Sequence, residues 1–376
     1  MSTRFGFVST FPPTQCGLAT FTAALRGALL HATTDEGWVV RLVDAAAPRP
    51  GEEVVAQLIS DDSISLRLAA GHLNQCDVVI VQHEYGVYGG ADGSQILYLL
   101  DQVKVPSVVV LHTVLTDPTP HQRQVIESVI AIADAVVVMT KTAQERLAAG
   151  YAVDMTKVRV IAHGAPALET TMAEPTFRTG EFTILTWGLL GPGKGIEWGI
   201  EAMAMLRDLK PMPRYVVAGQ THPKVLLDEG EAYRDRLREQ VRRVQLGTCV
   251  TFDGQYRTTS ALASLIRAAD VVLLPYDSTD QVTSGVLIEA VAAGKPVVAT
   301  QFPHATEILA GGAGLLVPHR DPAAIAAALR SVITRGDVMT RMAAVATETA
   351  PRLLWPVIAD QYRELTSRLI SASVAA

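Results

Sequence analysis

Residues Thr279–Thr300 read TDQVTSGVLIEAVAAGKPVVAT. A polar loop containing Gln281 leads into a helix that opens at about Ser284. Glu289 stands in the first turns of that helix, and Gly294 ends it. Lys295–Pro296 then passes into the apolar, β-branched strand Val297–Thr300. A helix N-terminus presents unpaired N–H groups and the positive end of its dipole, which suit a phosphate. A carboxylate one turn further in can accept hydrogen bonds from the hydroxyls of a sugar. Together these features suit a nucleotide sugar, while an ordinary helix of an α/β domain fits the same periodicity.

Outward from this stretch, short β-branched runs alternate with helical patterns along the whole chain, as parallel sheets with crossover helices require. Strands are expected at Arg4–Ser9, Val39–Val43, Val78–Gln82, Ser107–His112, Ala135–Met139 and Val158–Ala162. A second set follows at Phe182–Trp187, Arg214–Ala218, Val250–Phe252, Val271–Leu274, Pro296–Ala299 and Gly314–Val317. Helices are expected near 19–30, 52–71, 93–102, 121–133 and 142–149, then near 195–208, 229–245, 258–268, 285–293, 321–334 and 356–372. The segment 165–181 lacks periodicity and carries two prolines, so it reads as a linker. The expected fold is α/β, with Rossmann-like domains at 1–164 and 182–355 facing across a cleft. The final helix, 356–376, is expected to pack back onto the first domain.

Composition fits two domains. The chain has 376 residues, 49% of them hydrophobic, enough for two cores of ordinary size. Its net charge is −6, and no basic tract interleaves with aromatics, which argues against nucleic acid as the main partner. Cys16, Cys76 and Cys249 are odd in number and far apart, so neither a disulfide framework nor a metal-ligand spacing is expected. No apolar run reaches the ~18 residues of a membrane span, and the start lacks a signal-peptide core. The expectation is a cytoplasmic protein, with arginine and alanine usage hinting at a bacterial source; peripheral membrane contact stays open.

Doubly wound domains bind ligands at the C-terminal ends of their strands. The first such loop, Thr10–Gly17, holds one glycine and lacks the GxGxxG spacing of dinucleotide folds. Gly17 could admit a ligand close to the backbone, or serve as a plain turn glycine. After Phe182–Trp187 comes GLLGPGKGIE, residues 188–197. Here Gly191, Gly193 and Gly195 surround Lys194 just before a helix, a setting suited to a diphosphate. It is not a Walker A loop. His112 closes the strand SVVVLHT, and His83–Glu84 closes the preceding one before the loop Tyr85–Gly90. Each histidine is either a cleft residue or a satisfied structural one. No zinc constellation and no GxSxG elbow stands out.

These residues resemble the family-4 retaining glycosyltransferases of GT-B architecture. The resemblance covers nearly the whole chain and is strongest in GLLGPGKGIE, VVLLPYDSTDQVTSGVLIEAVAAGKPVVAT and ATEILAGGAGLLVP. It implies that 1–164 receives the acceptor and 182–355 the nucleotide sugar. Lys194 matches the family's diphosphate-binding basic residue, with Gly193 beside it and the backbone of Ser284, Gly285 and Val286 opposite. Leu189 stands where an arginine is usual. Of the paired glutamates, Glu289 matches the ribose ligand, and Gln281 replaces the one that meets the donor sugar. His112 matches a histidine near that sugar, Gly17 a glycine near the phosphate, and Tyr256 falls on the loop that holds the nucleobase. The resemblance implies transfer of a hexose from an NDP-sugar to a hydroxyl, with retention and without an obligatory metal or other cofactor. GDP-mannose is favoured as donor and a soluble saccharide as acceptor, with His83–Gly90 and Thr10–Gln15 as acceptor-contact candidates. The alternatives are a GT-B nucleotide-sugar epimerase, a phosphorylase, or a non-catalytic nucleotide-sugar sensor. The sequence assigns no oligomeric state.

Overall fold

The computed structural model describes residues 2–167 and 180–375. They divide into two compact units, Met1–Gly164 with Trp355–Ala376, and Ala165–Leu354. Most of the expected linker 165–181 lies outside the described residues. Ala165 already belongs to unit 2, where its N–H donates to the Leu353 carbonyl at 2.7 Å.

Unit 1 is built on seven parallel strands: β1 Arg4–Ser9, β2 Glu36–Val43, β3 Val54–Ile59, β4 Val78–His83, β5 Ser107–Leu111, β6 Ala135–Val138 and β7 Val158–Val160. Their spatial order is β3-β2-β1-β4-β5-β6-β7. The central strands are buried on both faces, all six residues of β4 and all five of β5, which is why they read as unbroken apolar runs. Crossovers run through α1 Gly17–Leu30, α2 Ser63–Leu73, α3 Gln95–Gln102, α4 Pro120–Ile132 and α5 Lys141–Gly150. Local chemistry sets their starts. Thr119 and Gln122 form a capping box at α4, with Pro120 in its first turn, so the orphan N–H groups there are met reciprocally.

Unit 2 has six parallel strands: β8 Thr183–Trp187, β9 Arg214–Ala218, β10 Val250–Asp253, β11 Val271–Leu274, β12 Val297–Thr300 and β13 Gly314–Val317, ordered β10-β9-β8-β11-β12-β13. Its helices are α6 Ile196–Ala204, α7 Pro223–Glu229, α8 Ala232–Arg243, α9 Thr259–Ala268, α10 Gly285–Ala292, α11 Pro303–Leu309, α12 Pro322–Thr334 and α13 Gly336–Thr349. The strand order reverses between β1 and β4 in one sheet and between β8 and β11 in the other. Such switch points open a crevice at the carboxyl ends of the strands, so the loops after β1, β4, β8 and β11 are where ligands are expected.

The last helix, α14 Trp355–Ala375, packs on α1 within unit 1. The Trp355 ring meets Phe21 edge-on at 5.2 Å, and Arg363 Nη2 donates to the Leu29 carbonyl at 2.7 Å. Trp355 also lies against Gly164, where a Cβ would fall 2.2 Å from Trp355 Cε3; only glycine lets the indole seat there.

Two departures from expectation stand out. The helix expected over 52–71 is strand β3 followed by α2. The β3 burial alternates strictly, buried then half-buried, the period of a strand with one partly wet face, and only three residues separate it from α2. Helices α7, α11 and α13 were also not expected. The first two are seven residues long and open on Pro223 and Pro303, which in sequence resemble turns.

Candidate functional site

In unit 2 the site grows from the ends of β8 and β11. After Trp187 the chain runs through Gly188 to Gly195, which caps α6 in the left-handed conformation with φ 62°. A Cβ on Gly195 would lie 1.8 Å from the Pro275 carbonyl oxygen, so the two loops touch backbone to backbone. The Asp277 N–H donates to the Gly193 carbonyl at 2.9 Å, and Trp198 Nε1 donates to Asp277 Oδ1 at 2.8 Å. At Gly188 a Cβ would be 3.5 Å from Val286 Cγ2, which brings the start of the glycine loop against the first turn of α10.

Lys194 stands on this seam. Its Nζ lies 4.3 Å over the ring of Tyr276, which is buried and stacks on Phe302 at 5.1 Å. An ammonium held on a π face keeps its charge and its N–H donors for an incoming anion. Among the described residues, no ion pair holds this half-buried ammonium.

The Ser284 side chain caps α10, accepting from the Leu287 N–H at 3.3 Å. Its own N–H, expected among the phosphate donors, already donates to His304 Nδ1 at 2.7 Å. The donors left in that turn are those of Gly285 and Val286. Sequence reasoning missed His304, which sits in the short helix α11. Gln281 turns onto its own loop, its Nε2 donating to the Thr283 carbonyl at 3.0 Å. Tyr256 is 44% exposed on the loop after β10, beside Arg257, whose guanidinium pairs with Asp253.

Glu289 is half-buried one turn into α10, and Trp187 Nε1 donates to its Oε2 at 3.1 Å. Burial pushes its carboxyl up from 4.5 to about 7, against the pull of the indole hydrogen bond. The native carboxyl therefore holds its proton more tightly than the unfolded one. Its stabilising contribution is present below about pH 4.5 and lost as pH rises through about 7. We expect Glu289→Gln to gain stability at pH 8, by up to about 3 kcal/mol, and to gain little at pH 4. Urea denaturation at the two pH values checks this; an equal change at both refutes it.

In unit 1, Gly17 is the first residue of α1, capped by Cys16 Sγ, and a Cβ there would meet nothing within 4 Å. Its surroundings therefore place no steric demand for glycine. His112 follows β5; its Nε2 shares a 2.7 Å hydrogen bond with Gln82 Oε1, and its ring meets Phe21 edge-on at 4.9 Å. Burial lowers its pKa to about 3, so it works as a neutral imidazole. His83 differs. It is fully buried against Tyr85 and Tyr88, and burial lowers its pKa to about 4, which makes it a core residue rather than a contact in the His83–Gly90 loop. That loop is tied internally: Tyr88 donates to the Gln82 carbonyl at 2.6 Å, and Thr113 Oγ1 donates to Glu84 Oε2 at 2.6 Å.

Among the described residues, no group of three or more His, Cys, Asp or Glu is placed to hold a metal, and no helix is long and apolar enough to cross a membrane.

Residues 181–335 match the family model described as glycosyl transferases group 1. The chain is 28% identical over 216 residues to a glycogen synthase of Mycobacterium tuberculosis, covering 57% of this chain and 49% of that one. It therefore spans about half the length of that relative. It is also 28% identical over 378 residues to the D-inositol 3-phosphate glycosyltransferase of Kineococcus radiotolerans, covering 91% of this chain and 83% of the relative. Its fold matches that of Anabaena HepE, solved with UDP and glucose, at a TM-score of 0.78 and 18% identity, over 97% of this chain and all of that one. Unit 2 thus carries a matched group 1 glycosyltransferase domain around the Lys194–Tyr276 seam, and the two parallel-sheet units have the GT-B fold of the solved glycosyltransferase structures.

Proposed function

We propose that the chain is a retaining glycosyltransferase that moves a hexose from a nucleoside diphosphate sugar to a hydroxyl of a saccharide acceptor. The observation that carries this reading is the seam of unit 2, where an unneutralised ammonium, a glycine-rich turn and the open first turn of α10 adjoin one another. Such a site binds a diphosphate through Lys194 Nζ, the Gly285 and Val286 N–H groups and the helix dipole. Glu289, steadied by Trp187, accepts hydrogen bonds from the ribose.

Negative charge grows on the diphosphate as the glycosidic bond breaks, and donors already in place stabilise it without reorganising. The acceptor hydroxyl attacks from the face the diphosphate leaves, and a phosphate oxygen takes its proton. Retention follows without a dedicated carboxylate base, which suits Gln281 in place of a glutamate. Lys194 and the N–H groups take the part a divalent ion would otherwise play. Within unit 1, His112 is a hydrogen-bonding group rather than an acid, its proton affinity lowered by burial.

GDP-mannose, favoured on the sequence, and UDP-glucose are the two donors to set against each other. A thermal-shift panel of UDP, GDP, ADP, UDP-glucose and GDP-mannose does so. At 100 times its Kd a ligand stabilises the native state by about 2.7 kcal/mol, a shift of several degrees. One nucleoside diphosphate and its sugar conjugate are expected to produce it. No shift with any nucleotide would overturn the donor site.

A further inference from the structure

Unit 1 carries a second polar constellation that the donor site does not use. Arg41 pairs in register with Ser9 across β2 and β1, and the β1–β4 register, Val8 opposite Val81, carries Ser9 to the level of Gln82. Strand alternation sets all three on the sheet face that also presents Phe5, Phe7, Val39, Val78 and Ile80 to the core. They form a polar row at the carboxyl ends of three adjacent strands, including β1 and β4 at the switch point. Gln82 leads on to His112 through their shared hydrogen bond.

The row is buried and under-satisfied. Arg41 is 8% exposed, while Ser9 and Gln82 are fully buried. Arg41 Nη2 donates to Thr14 Oγ1 at 2.9 Å. Arg41 Nε, Ser9 Oγ and Gln82 Nε2 have no hydrogen-bond partner among the described residues. Buried polar atoms are nearly always paired, and a buried guanidinium without a carboxylate is costly. Three orphans side by side, two of them pure donors, ask for an acceptor rich in oxygen and negative charge. The way in is the loop after β1: Thr14 is half-buried, and Pro12, Pro13 and Gln15 around it are exposed.

We propose that Arg41, with Thr14 and Gln82 beside it, forms an oxyanion subsite that selects an acceptor carrying a phosphate monoester or a carboxylate. The word acceptor rests on the glycosyltransferase reading; the oxyanion chemistry does not. Arginine suits either group, because its planar fork matches two oxygens at once. Arg41 is a specificity residue here: it holds the part of the acceptor that does not react.

Isothermal titration of the whole chain with glucose, glucose 6-phosphate and glucuronate tests this and tells the two anions apart. At least one anion is expected to bind about tenfold or more tighter than glucose, as a charge-assisted hydrogen bond gives. Arg41→Met is expected to abolish that advantage, and Arg41→Lys to restore part of it. Thr14→Ala, on the exposed loop, is expected to weaken anion binding a few-fold and carries the test if Arg41→Met does not fold. If neither anion binds better than glucose, or if both variants bind them as the parent does, the subsite is refuted and the row is filled by water alone. A parallel titration with UDP and GDP separates the two readings. Anion binding without nucleotide binding would leave the subsite standing and remove the donor site; the reverse would do the opposite.

Discussion

Lys194→Ala is expected to lower kcat by about 10²–10³, the usual loss when a preorganised donor to a developing oxyanion is removed. It is also expected to weaken nucleoside diphosphate binding by about tenfold to a hundredfold, as for one charge-assisted hydrogen bond. The fold should barely notice. What Lys194 gives the native state is its contact with Tyr276, worth about 0.5–1 kcal/mol at a partly exposed site. Steady-state kinetics, nucleotide titration and a melting curve on one preparation check all three. Unchanged kcat in a folded variant would remove Lys194 from the leaving-group site.

Gly195→Ala is expected to act on stability instead. The residue is left-handed at φ 62° and its Cβ would land 1.8 Å from the Pro275 carbonyl. The conformation alone costs about 1–2 kcal/mol for an L-residue. The overlap is with backbone, which cannot rotate away, so the loop after β11 must move and the Gly193–Asp277 hydrogen bond with it. A total loss of about 3 kcal/mol or more follows, within the range set by strained backbone sites. Gly193→Ala makes the internal control: its φ is 88°, but a Cβ there meets nothing within 4 Å, so only the conformational part applies, about 1–2 kcal/mol. Urea denaturation of the pair gives the difference. Equal losses in the two variants would show that the close approach to Pro275 carries no energetic weight.

Much of this molecule is legible in its sequence because parallel strands buried on both faces are near-continuous apolar runs. β4, β5, β8 and β11 read that way, and the loops that follow them carry the candidate ligand groups. The errors have physical sources. β3 alternates rather than running apolar, and with α2 close behind, its period blurred into a helix. Proline at the first turn of α7 and α11 suits a helix start as well as a turn.

In the candidate site, Lys194 and Glu289 stand out in the sequence through glycine spacing and position on a helix. Trp187, Tyr276 and His304 do not, because their roles come from neighbours distant in sequence. The Trp187–Glu289 hydrogen bond spans 102 positions, and no local pattern encodes such a pairing. Arg41 was equally silent. In sequence it is one more residue of a strand; only the sheet register sets it beside Ser9, and only the fold leaves its Nε without a hydrogen-bond partner among the described residues.

The return of α14 to α1 gives the two units different birth dates. Ala165–Leu354 is contiguous, so everything it needs emerges from the ribosome in one piece. Unit 1 begins first, yet the outer face of α1 waits for Trp355 and the turns after it. At translation speeds of about 5–20 residues per second, that wait is on the order of 15–65 s. The earliest residues of the chain are thus among the last to be covered, and the nascent protein carries an open apolar flank through the whole synthesis of its second unit.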